Sequence, residues 1–183
     1  MENLENRENI RFVKINGYYT SIIVLVILFI LSGIIYGVKI KWMNEALPLN
    51  DLPKLIKRLD LYFIILLVGI FVHEFIKFVI YKIYGVGSIK LKFKQLLAFL
   101  YSPNELTILQ ARLLWIIPFL FIAALTIISI IYFNFSVVFG FSILLITISD
   151  DLVMYLNLLK FNRNDVFIQE ENFLGFKCIQ RNE

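Results

Sequence analysis

The sequence predicts an all-α integral membrane protein of about four transmembrane helices, with a short β element on its cytoplasmic face. Two observations carry this. Sixty per cent of the residues are hydrophobic, and they fall in long charge-free runs, as spanning helices require. The charged residues gather between the runs. The 183 residues make one membrane domain, 1–183, with little left over for a separate soluble module. The net charge of +4 reflects lysine-rich segments beside the membrane, so no nucleic-acid partner is needed to explain it. One cysteine, Cys178, rules out an internal disulfide and is expected to be packed rather than reactive.

The elements follow in order. Residues 1–14 carry charges of both signs, and the apolar run after them is longer than a signal-peptide core and lacks a small-residue cleavage site, so no cleavable leader is expected. The first span, 15–38, has 24 residues without a charge, and Tyr18, Tyr19 and Tyr36 suit the interfaces. A polar stretch follows, with an amphipathic patch at Leu52–Leu59 expected on the membrane surface. The second span is 61–84. Between Arg112 and Asp150 lie 37 uncharged residues. As one helix they would be about 55 Å long, against a bilayer core of about 30 Å. They are therefore divided at Asn134-Phe135-Ser136 into spans at 113–133 and 137–159, leaving 160–183 as a cytoplasmic tail.

With the N-terminus inside, twelve basic residues fall on inner segments and five on outer loops. This bias predicts a multi-pass protein of the cell membrane with both termini in the cytoplasm.

The chain's one histidine lies inside the second span, in His73-Glu74-Phe75-Ile76-Lys77. A His-Glu-x-x-His helix sets two imidazoles one turn apart to bind zinc, with the glutamate as general base. Here Lys77 takes the second histidine's position, and no other histidine exists to replace it. Antiparallel spans bring His73 to the same depth as Asp150 and Asp151 on the fourth span. Ionisable groups at that depth are costly unless paired, so Glu74, Lys77 and the aspartates are expected to meet. One reading is a structural ion pair from Lys77 to Asp150 or Asp151. The other is a metal site with His73 and Asp151 as ligands, Asp150 as the alternative ligand, and Glu74 as base.

Further on, Ile89–Lys94 alternates apolar residues with lysines, the period of a half-buried strand. It is expected to pair within the chain, for instance with Phe176–Ile179 of the tail, or to accept an extended peptide or membrane-protein partner at its edge.

Several pieces resemble a family of small bacterial membrane proteins, the zincin peptidases with a site-2-protease-like layout. The resemblance runs from Leu61 onward. It rests on the His73-Glu74 motif, on Lys90–Phe93 and Leu97–Pro103 followed by Leu106-Thr107 and Pro118, on Ser149-Asp150-Asp151-Leu152, and on Asp165–Phe167 through Gly175-Phe176. It implies His73 and Asp151 as zinc ligands and Glu74 as the water-activating base. Asp151 is preferred because the family's aspartate is followed directly by an apolar residue. Lys77 departs from that pattern. A protonated lysine offers donors only, and its ammonium can stand in for the charge of the metal.

The expected function is therefore a zincin-like pseudoprotease without zinc, binding a peptide or a partner in the lipid membrane. The alternative is an active intramembrane zinc metallopeptidase using Glu74, and a third reading is a small ion-coupled transporter using Lys77 and the aspartates.

Overall fold

The computed structural model describes residues 9–14, 17–45, 57–94, 97–169 and 175–180. The chain runs β1 (Asn9–Lys14), α1 (Gly17–Ile35), a π-helical continuation (Tyr36–Trp42), α2 (Leu59–Ile83), β2 (Lys90–Lys94), β3 (Leu97–Tyr101), β4 (Leu106–Thr107), α3 (Ile108–Tyr132), α4 (Phe135–Thr147), α5 (Ser149–Leu158), β5 (Val166–Gln169) and β6 (Gly175–Gln180). Among the described residues, four helices are long and apolar enough to cross a membrane: Tyr19–Trp42, Leu59–Ile83, Ile108–Tyr132 and Phe135–Leu158. Large apolar side chains such as Phe29, Phe71 and Leu120 stand exposed on their outer faces.

The third helix begins at Ile108, earlier than the charge boundary at Arg112 suggests. Thr107 and Gln110 form a reciprocal capping box: the Gln110 N–H donates to Thr107 Oγ1 at 3.2 Å and the Thr107 N–H to Gln110 Oε1 at 2.9 Å. Arg112 does not end the helix because its guanidinium has acceptors, the carbonyls of Leu158 (3.1 Å) and Phe161 (2.7 Å) at the end of α5. Thr107→Ala should cost about 1 kcal/mol, read as a lower thermal midpoint in detergent.

The turn expected at Asn134 is present, with its side chain accepting from the Val137 N–H at 3.2 Å. The expected fourth span is not one regular helix. It is interrupted at Ile148, so α5 starts afresh with Ser149, Asp150 and Asp151 in its first turn. Acidic side chains there suit the positive end of the helix dipole.

Helices α2 and α4 approach closely at two glycines. A Cβ at Gly140 would lie 2.6 Å from Ile65 Cδ1, and one at Gly69 would collide with Leu144. In the middle of the π-helical segment, buried Lys39 donates to the Phe133 carbonyl at 2.6 Å and pairs with Glu45 at 3.3 Å. It thereby closes the C-terminus of α3.

More β structure is present than the alternating lysine strand predicts. A four-stranded antiparallel sheet, ordered β1-β6-β5-β4, closes one end of the bundle. Its buried Phe167, Phe176 and Cys178 pack with Ile108, Leu158 and Tyr81. Burial and the neighbouring Asp165 carboxylate push the Cys178 thiol up to about 11, which makes it a poor nucleophile. Both ends of the described chain meet in this sheet, since β1 pairs along its whole length with β6.

The lysine strand is β2, but it does not pair with the tail. It forms a two-stranded sheet with β3, in the register Lys90↔Tyr101 to Lys94↔Leu97, because the short connection favours a local hairpin. The Phe176–Ile179 segment is already held on both sides, by β1 and β5. Most of the expected surface patch at 52–59 lies outside the described residues.

Candidate polar site between α2, α3 and α5

His73 and Lys77 stand one turn apart on one face of α2, as their spacing requires, and Tyr81 continues that face toward the sheet. Lys77 is six residues before the end of α2, Asp151 seven before the end of α5 and Trp115 seven after the start of α3. At 1.5 Å per residue all three lie about 9–11 Å from the sheet end of the bundle.

Four of the five expected residues, His73, Glu74, Lys77 and Asp151, meet there. Asp151 is buried and uses both carboxylate oxygens: Oδ2 lies 2.6 Å from His73 Nε2, and Oδ1 accepts from Lys77 Nζ at 2.8 Å. Glu74 Oε1 lies 3.1 Å from His73 Nδ1 and 3.6 Å from Lys77 Nζ. Both ring nitrogens of His73 thus face carboxylate oxygens, and only the imidazolium carries two N–H donors to satisfy them. An imidazolium at His73 would set two cations against two carboxylates.

Asp150, the alternative ligand, is not drawn into the cluster. It is half-buried and makes no hydrogen bond or ion pair among the described residues.

Two contributors had no sequence signal as site residues. Trp115 on α3 places its ring 4.2 Å under the Lys77 ammonium, a buried cation–π contact. Its Nε1–H and the Tyr62 hydroxyl are the buried side-chain polar atoms without a hydrogen bond among the described residues. Leu100 on β3 contributes through its main chain: its N–H donates to Glu74 Oε2 at 2.8 Å. One turn below Lys77, the Tyr81 hydroxyl donates to Gln169 of β5 at 3.0 Å, tying α2 to the sheet beneath the cluster.

The family model described as "Putative zincin peptidase" matches residues 66–166, a stretch that includes His73, Glu74, Lys77 and both aspartates. The chain belongs to this family. No curated protein and no solved structure matches it.

The family implies zinc. A catalytic zinc site takes three protein ligands and keeps a fourth position open. His73 Nε2 and Asp151 Oδ2 converge as two ligands of such a set would, but the third position holds an ammonium already bonded to Asp151. Among the described residues no group of three or more His, Cys, Asp or Glu is arranged to hold a metal ion. The donor set does not fit zinc.

Proposed function

We propose that this chain is a zincin-type protein of the cell membrane that binds a peptide or a membrane-protein partner without hydrolysing it. The observation that carries this is the Lys77 ammonium, 2.8 Å from Asp151 Oδ1, where the family motif would place its second histidine. Lys77 and the His73 proton supply together the two positive charges that a zinc ion would bring. The carboxylates are neutralised and the helices held without metal. The four apolar helices lie in the bilayer, and the sheet that joins the two chain ends faces the cytoplasm, on the side richer in basic residues.

A second reading, an active metallopeptidase with Glu74 as general base, draws support from the convergence of His73 and Asp151. Hydrolysis of a labelled hydrophobic peptide, assayed with added zinc in detergent, separates the two. The pseudoprotease reading expects the parent to match its Glu74→Gln variant at background. Zinc-dependent cleavage by the parent that disappears in Glu74→Gln would establish the peptidase instead.

The partner would dock on the β2–β3 hairpin. Its sequence carries Lys90, Lys92 and Lys94, and each strand pairs on one side only among the described residues. Strand addition to such an edge needs no metal.

A further inference from the structure

Leu91 and Leu100 face each other across the antiparallel hairpin. The Leu100 N–H is directed to Glu74 rather than to Leu91. Leu100 therefore occupies a non-hydrogen-bonded pair, with its N–H and C=O pointing out of the hairpin along the outer edge of β3. A strand added to that edge would present a carbonyl oxygen to this N–H. In the structure the acceptor is a carboxylate oxygen of Glu74, at 2.8 Å, an ordinary ladder distance. The base of the hairpin is pinned separately, by Ser88 Oγ donating to Asn104 Oδ1 at 2.5 Å. Glu74 thus ties β3 to α2 at the edge while the hairpin's base is held elsewhere.

We propose that Glu74 is an internal occupant of a peptide-docking edge: its carboxylate takes the place of a strand carbonyl on β3, and an extended peptide docks there by displacing it. This rests on the peptide-binding reading above. The peptide expected is acidic, since the neighbouring strand carries three lysines in its sequence. Docking frees Glu74 from Leu100 and leaves it to His73 and Lys77, so occupancy of the edge is coupled to the buried cluster. Glu74 is here a gating residue rather than a catalytic one.

The test uses the full chain in detergent and a fluorescein-labelled, end-blocked decapeptide of alternating glutamate and valine, with affinity read by anisotropy. Glu74→Ala should tighten binding about ten-fold, the equivalent of one charge-assisted hydrogen bond no longer competed for. Glu74→Gln, which keeps a weaker acceptor and the side chain's shape, should fall between and carries the test where the alanine variant does not fold. Asp150→Asn removes a charge nearby without touching Leu100 and should leave affinity unchanged. In amide exchange, the Leu100 N–H should lose protection in Glu74→Ala and regain it with peptide.

Binding to the parent with equal affinity in both Glu74 variants would overturn the gate and leave peptide binding standing. Tightening of the same size in Asp150→Asn would assign the effect to charge and equally overturn the gate. No binding to any of the proteins would overturn both readings.

Discussion

Lys77→Ala is expected to lower stability by about 3–5 kcal/mol, the loss typical of a buried pair deprived of one partner. The cause is specific. Asp151 loses the 2.8 Å donor on Oδ1, Glu74 loses its only lysine neighbour in the cluster, and Trp115 loses the cation over its ring. One of the two positive charges that balance the carboxylates disappears. Thermal unfolding in detergent should show a large fall in midpoint, or the variant should fail to accumulate. The double variant Lys77→Met/Asp151→Leu should recover only part of the loss, because it replaces the Lys77–Asp151 pair by apolar side chains of similar length but takes from His73 Nε2 its Asp151 contact and leaves the ring with Glu74 alone. A single Lys77→Ala variant as stable as the parent would remove the ion cluster from any structural role.

The second large effect separates two adjacent carboxylates. Asp151→Asn should cost several kcal/mol, because the amide leaves both Lys77 and His73 facing a neutral group, and its NH2 meets one of two donors head-on. Asp150→Asn should change stability by no more than about 1 kcal/mol, since Asp150 has no bonded partner among the described residues to lose. Denaturation of the two variants side by side checks this, and equal losses would contradict the assignment of Asp151 as the paired carboxylate.

Much of this arrangement was legible in the sequence because burial in an apolar span leaves few choices. Long apolar runs, two of them carrying a few ionisable residues, marked the four helices, and Asn134 marked the turn between two of them. The common depth of His73, Lys77 and the aspartates followed from helix rise alone. What was not legible has physical reasons. β1 is a basic hexapeptide, Asn9–Lys14, whose strand state depends on β6 near the other end of the chain. The break at Ile148 sits in an apolar sequence without glycine or proline. The tail segment Phe176–Ile179 was expected beside the lysine strand but pairs with β1 and β5, a choice of partner that a strand period by itself does not make. Leu100 acts through its backbone N–H, which no side chain announces. The preference for Asp151 over Asp150 came from the family pattern, and the helix phase set by the break at Ile148 gives it a physical cause.

If Lys77 stands in the place and charge of a metal, the zinc content of the purified protein should show it. The parent and a Lys77→His variant should be purified in detergent, equilibrated with zinc, desalted, and measured for metal by mass spectrometry. The parent should retain far less than one zinc per chain, and the Lys77→His variant should approach one. A parent loaded to near one zinc per chain would contradict that role of Lys77.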